Sequence, residues 1–238
     1  MGKRIIQQRR GRGTNTYRSP SFRFKGAVKH VSSGSTGFIS DLIHCAGHSA
    51  PLMVVQYDSG EQGLGFAVQG TRVGAKVSIG ADASTLESLP AGSIFALKDI
   101  PEGTLVHNIE ARPGDGGKMV RAGGVFAKVV AKTPVGVRVK LPSKKEKVFH
   151  FNCRAAIGVI AGSGRVEKPF LKAGNKYHRM RARNKLYPKV CGISMNAVDH
   201  PFGSGCSHVK GRPTQSPRSA PPGRKVGKVA PRRVGRKR

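Results

Sequence analysis

The strongest constraint on this chain is its charge. Among 238 residues, 43 are Lys or Arg and 12 are Asp or Glu, a formal net charge of +31. So many like charges repel one another in a compact state and draw polyanions at long range. The charge is unevenly spread. Residues 1–30 carry +9 with no acid, residues 31–99 carry −3, residues 100–165 carry +8, and residues 166–238 carry +17. Both ends are strongly basic and the middle is nearly ordinary. Folding information is therefore expected in the middle, and polyanion binding at the ends.

Composition supports that division. Hydrophobic residues make up 37% of the chain, and glycine contributes 32 residues. Part of such a chain can bury a core, and all of it cannot. Tryptophan is absent and aromatics are 6%. That argues against a large aromatic core, and against single-strand binding carried mainly by stacking platforms. The four cysteines, Cys45, Cys153, Cys191 and Cys206, are widely spaced with no C-x-x-C pair, which fits free thiols in a reducing compartment. No apolar leader is expected at the N-terminus. The longest apolar run, Ala155–Ala161, is far short of the roughly 20 residues that span a bilayer.

The middle reads as short strands. Phe38–Ile43, Leu52–Tyr57 and Leu64–Val68 are β-rich, and Asp58-Ser59-Gly60 and Gln69-Gly70 punctuate them. Val135, Val137, Val139 and Leu141 alternate with Gly136, Arg138 and Lys140, a period of two with one buried face and one basic, wet face. Val148–Phe151 and Ile157–Ile160 read as further strands. Short strands with turns about every ten residues predict a mainly β protein built of small barrels. The boundary between two of them is expected in Leu86–Pro101, which carries two prolines.

The ends differ. Residues 205–238 contain five prolines and few large apolar residues, and Phe22-Arg23-Phe24-Lys25 alternates aromatics with bases. Such segments bury too little surface to offset their ordering entropy. Lys172–Lys185 has helical character but would be basic nearly all round, so it needs an anionic neighbour. A membrane surface would call for an apolar helix face, which is missing. No helix-turn-helix, zinc finger or zipper pattern points to duplex DNA. Large folded RNA suits extended basic arms and closely approached glycine backbone. A nucleic-acid chaperone or chromatin-like architectural protein shares the charge and stays open on composition alone.

Ordered motifs narrow this. Glu110, then Arg112-Pro113-Gly114-Asp115-Gly116-Gly117-Lys118, then Arg121-Ala122 resemble the E-x-x-P-G-D-x-G-K-x-x-R-A signature of the universal large-subunit ribosomal protein L2 family. Arg154–Gly162, Lys168-Pro169, Lys172-Ala173-Gly174 and Gly192–Gly203 are similar to the same family in the same order. Ala220–Gly227 and the opening Met1-Gly2-Lys3-Arg4 resemble its archaeal and eukaryotic branch. One stretch departs. After His200-Pro201-Phe202 the family usually has three glycines and a histidine-rich run, and here Gly203-Ser204-Gly205-Cys206-Ser207-His208 follows.

The resemblance implies a fold of an OB-like barrel followed by an SH3-like barrel, with long basic N- and C-terminal extensions. Carried onto this chain, it divides residues into an N-terminal extension at 1–36, an OB-like RNA-binding barrel at 37–90, an SH3-like barrel at 91–165 and an RNA-threading extension at 166–238. It implies a structural component of the large ribosomal subunit, in the cytoplasm. Its expected partners are large-subunit ribosomal RNA near the peptidyl transferase region, small-subunit ribosomal RNA at an intersubunit bridge, and neighbouring ribosomal proteins, with no membrane. It also implies support of tRNA binding.

RNA contacts are expected in four groups. The N-terminal extension supplies Arg4, Arg9, Arg10 and Arg12, then Arg23 and Lys25. The glycine-rich turn supplies Arg112, Lys118 and Arg121, with Arg154 downstream. The helical stretch supplies Lys172, Lys176, Arg179, Arg181, Arg183 and Lys185. His200 and the tail residues Arg224, Lys225, Arg232 and Arg233 complete the set. The turn is not a P-loop, because Met119 follows Lys118 where that motif needs Ser or Thr.

Catalysis is not expected. His200 could in principle act as a general base in peptide bond formation, a role suggested for its family counterpart. Asp199 is its sequence neighbour, however, and adjacent side chains orient each other poorly. A packing or RNA-bonding histidine in a Pro/Gly turn is the reading adopted. Cys206, His208 and His200 lack a fourth metal ligand at suitable spacing, and His44, Cys45 and His48 read as a polar loop. No metal and no cofactor are expected.

Overall fold

A computed structural model describes residues 2–18, 24–31, 36–80, 90–205 and 215–231. The chain divides into two compact units. One is Phe22–Phe170, and in the other Met1–Ser21 joins Leu171–Arg238.

The first unit is a β body. Strands β1 (Thr36–Ile43), β2 (Leu52–Tyr57), β3 (Gln62–Phe66) and β4 (Lys76–Ser78) form an antiparallel sheet ordered β3-β2-β1-β4. The β2–β3 turn is closed by Gly60, whose φ of 83° suits a residue without a Cβ and whose N–H reaches the Tyr57 carbonyl at 2.9 Å. A second antiparallel sheet contains β5 (Ile94–Ala96), β6 (Leu105–His107), β7 (Ala127–Thr133), β8 (Gly136–Lys140), β9 (Glu146–Phe149) and β10 (Arg154–Ile157), ordered β5-β10-β6-β7-β8-β9. The chain is mainly β, with antiparallel sheets, as the strand signals predict.

The alternation in β8 survives with one correction. Val137 and Val139 are buried and Arg138 and Lys140 exposed. Val135, expected on the buried face, is 84% exposed. It sits in the Pro134-Val135 turn of the β7–β8 hairpin, which Thr133 closes by donating its hydroxyl to the Gly136 carbonyl at 2.6 Å. The expected strand at Ile157–Ile160 is also shorter. β10 ends at Ile157, and Ile160 makes a single bridge to Val68.

Three clusters form the core of this unit. One lies inside the second sheet around Leu97, Ile100, Val106, Ile109 and Val129. Another fills the first sheet with Ile39, Met53, Val55 and Val77, and takes Ile94 and Ala156 from the second. The third joins Leu52, Phe66 and Ile160 to Val28. Val28 and His30 precede the first strand in a segment read from charge as basic extension, yet both are buried. Burying a valine stabilises by roughly 1.5–3 kcal/mol, enough to hold a short segment against the sheets.

Among its described residues the second unit has little core. Its elements are α1 (Ile6–Gly11), α2 (Ala173–Ala182), a 3-10 turn at Gly192–Ser194, and the two-residue parallel pair β11 (Gln215–Ser216) and β12 (Lys228–Val229). Ile5, Phe202 and Ala220 are its buried apolar residues among those described, and α2 buries none. Asp199 is the only acid in its sequence, and it lies 3.9 Å from Lys3. No helix among the described residues is long and apolar enough to cross a membrane.

Candidate nucleic-acid interface

The glycine-rich turn begins at Glu110, a carboxylate with no exposed surface. Its two oxygens accept N–H bonds from Gly114 at 3.2 Å, Gly116 at 3.1 Å and Arg154 at 2.9 Å. They also accept Nε and Nη2 of Arg154 at 3.2 and 3.0 Å. Asp115 accepts the N–H groups of Ala111, Arg112 and Gly117. Burial opposes charge on both carboxyls. The surrounding donors outweigh it and hold both below the ordinary carboxylate range.

This wiring decides what the turn can do. Five of its backbone donors already face protein carboxylates, so it does not cradle a phosphate with its amides. Gly117 must remain without a side chain, because φ is +92° and a Cβ would come within 2.7 Å of the Asn108 carbonyl oxygen. What the turn offers outward is the side chains of Arg112 and Lys118, both exposed.

Arg121 and Arg154, expected to reach phosphates, are turned inward. Arg154 gives Nε and Nη2 to Glu110 and Nη1 to the Val31 carbonyl at 2.6 Å. Arg121 gives Nη1 to Gly117 and Nη2 to the Val28 carbonyl, at 3.1 and 3.0 Å, and its guanidinium lies 5.4 Å from the Phe66 ring centroid. Both tie residues 28–31 to the body. The physical reason is Glu110: a buried carboxylate needs a cation and several donors, and Arg154 supplies both. Nearby, His30 bonds the Asn108 carbonyl through Nε2 at 2.7 Å, and His107 bonds the Gly158 carbonyl through Nδ1 at 3.0 Å. Burial lowers the pKa of both, that of His107 to about 4, so both rings are neutral.

A second basic surface went unassigned among the expected contacts. On the outer face of the second sheet, Lys128 stands directly opposite Lys140, and Arg138 lies in the neighbouring pair on β8. Glu146 on β9 stands opposite Lys140 and lies 3.9 Å from Arg138, so one acid partly balances this face, and the Lys128–Lys140 opposition remains destabilising. The signal was present in the period-two alternation of residues 135–141.

In the second unit, Arg4, Arg9, Arg10, Arg12, Lys172, Arg181, Lys185, Arg224 and Lys225 are exposed, and Lys176, Arg179 and Arg183 are half-buried. In the β body, Lys25 is exposed. Arg23, Arg232, Arg233, Cys206 and His208 lie outside the described residues. His200 is held tightly. Its Nδ1 accepts the Phe202 N–H at 3.0 Å, its ring lies 5.2 Å from that of Phe202, and a Cβ at Gly192 would collide with the imidazole. Burial lowers its pKa. Asp199 makes its ion pair with Lys3.

The loop at His44, Cys45 and His48 is less polar than expected. Cys45 is buried in the third core cluster, with its Sγ 3.1 Å from His48 Nδ1 and accepting the Lys25 N–H at 3.4 Å. Among the described residues no group of three His, Cys, Asp or Glu could hold a metal ion.

The comparisons with known proteins agree with the motif order. The family model described as Ribosomal Proteins L2, C-terminal domain, matches residues 90–223. The large ribosomal subunit protein uL2 of Methanothermobacter thermautotrophicus is 47% identical over 245 residues, covering all of both chains. Those of Archaeoglobus fulgidus and Methanococcus vannielii are 47% and 48% identical, again with full coverage of both chains. These relatives carry the name of a ribosomal component rather than of an enzyme, and on this footing the chain belongs to the ribosomal protein L2 family, in its archaeal branch.

Proposed function

We propose that this chain is a structural component of the large ribosomal subunit that binds ribosomal RNA near the peptidyl transferase region. It supports subunit association, through small-subunit RNA at an intersubunit bridge, and tRNA binding. The observation that carries this reading is the second unit, which has a single acid, already paired, and few buried apolar residues among those described. A segment of that composition reaches a defined conformation when a polyanion neutralises it.

In this reading the first sheet forms an OB-like barrel over residues 37–90 and the second an SH3-like barrel over residues 91–165. Residues 1–36 and 166–238 are basic extensions. Phosphates are contacted by the exposed bases of the extensions, by Arg112 and Lys118 at the turn, and by Lys128, Arg138 and Lys140 on the sheet. Arg121 and Arg154 act indirectly, by fixing the segment and turn that present those bases. His200 positions its extension, with Nε2 toward a phosphate or a 2′-hydroxyl.

The test is a salt titration of binding to large-subunit RNA. If ten Lys and Arg neutralise phosphates, log K falls against log salt with a slope near about −9, shallower where the RNA is single-stranded. A slope near zero refutes the reading.

A further inference from the structure

The chain has four tyrosines and no tryptophan, and three of those tyrosines meet in one place. Tyr17, Tyr177 and Tyr187 line a single cavity of about 250 Å³ in the second unit, together with Arg181, Asn184 and Lys185. We infer that this cavity is a binding pocket for one unpaired nucleobase of RNA, with Arg181 and Lys185 contacting the flanking phosphates. The inference rests on the RNA-binding reading above and specifies a site within it.

The residue types select that ligand. Tyr177 projects from α2 and is 44% exposed, whereas a tyrosine used only for packing is sealed against its neighbours, as Tyr57 is at 5%. Arg181 and Lys185 follow Tyr177 at intervals of four, which on a helix places Arg181 beside the ring. Asn184, whose Nδ2 donates to the Arg18 carbonyl at 2.7 Å, brings an amide. An amide carries the donor and the acceptor that read a base edge. Lys176 lies 5.2 Å from the Tyr187 ring centroid, adding positive charge to the aromatic wall. Aromatic faces, an amide and cations together are the set that holds a splayed-out base. A paired A-form helix offers no base face, so the occupant comes from a loop, bulge or end. An acidic peptide would satisfy Arg181 and Lys185 and make no use of the aromatic wall, on which, among the described residues, Tyr177 has only the edge contact with His178 at 5.5 Å and Tyr187 only the Lys176 ammonium.

The test uses the full chain and two RNA oligomers of equal length and charge, oligoadenylate and its abasic ribose-phosphate counterpart. Stacking on one aromatic is worth roughly tenfold in affinity, so the wild-type protein should bind oligoadenylate about tenfold more tightly at fixed salt. Tyr177→Leu should erase that preference and keep both the affinity for the abasic oligomer and its salt slope. Tyr177→Phe should retain the preference, and Tyr17→Leu should reduce it. With no tryptophan present, quenching of tyrosine emission reports occupancy directly. Equal wild-type affinity for both oligomers overturns the pocket, as does an unchanged preference in Tyr177→Leu. Failure of the wild-type chain to bind either oligomer in a salt-dependent way overturns the RNA-binding reading itself.

Discussion

Glu110→Gln keeps the shape of a buried side chain and removes its charge. The Oε1 atom of Glu110 accepts three N–H groups and Oε2 accepts two. A glutamine amide keeps only one acceptor oxygen, so in either orientation at least two donors meet its NH₂ group instead. Arg154 also loses its counter-ion and keeps its bond to Val31. Removing one partner of a buried ion pair costs about 3–5 kcal/mol. The Arg154 side chain is 20% exposed, so water relieves part of the loss and about 3 kcal/mol is expected. For a unit of this size, 1 kcal/mol corresponds to about 2–4 °C. The melting temperature of the full chain, followed by far-ultraviolet circular dichroism near neutral pH without RNA, should fall by roughly 6–12 °C. Adding Arg154→Met should cost less than the two single losses combined, because it removes the uncompensated cation. A shift below about 2 °C, or fully additive losses in the double variant, would refute the argument that this pair anchors the turn.

Acid should weaken the β body through His107, and the sign follows from its depressed folded pKa. Between about 6.5 and about 4 the unfolded chain binds a proton that the folded one refuses, so stability falls as pH falls through that window. Denaturant midpoints measured across the window should rise with pH, and His107→Gln should make that slope shallower, with His30, whose pKa burial also lowers, supplying the remainder. A profile already flat in the wild-type protein contradicts the assignment. His200→Gln in fully assembled particles should lower single-turnover peptidyl transfer by less than about tenfold, since a general base contributes typically 10²–10⁴-fold. A hundredfold loss with tRNA binding intact would restore a chemical role to the ring.

Much of the fold was legible in the sequence because its signals are local. β2 and β8 carry their burial in alternation or in continuous apolar runs, and Gly60 marks its turn by type. The helix α2 lies inside the stretch whose composition suggests it. Val135 leaves the buried face because periodicity does not say where a hairpin turns, and Pro134 with the Thr133–Gly136 bond decides that.

The candidate site divides the same way. Charge, its asymmetry along the chain and the ordered motifs from Glu110 to Gly227 are properties of the sequence, and they were sufficient to name a family and a class of partner. Which bases face outward is a property of pairs distant in sequence. Arg154 turns inward because Glu110, 44 positions away, is buried where only a cation can balance it. Arg121 turns inward because the Val28 carbonyl, 93 positions away, accepts its guanidinium. The same holds for the tyrosines, whose scarcity argued against stacking until α2 and the following turn brought Tyr177 and Tyr187 to Tyr17. A one-dimensional reading records how many charges and rings a chain owns. Desolvation and contact, which exist only after folding, determine which of them remain for a partner.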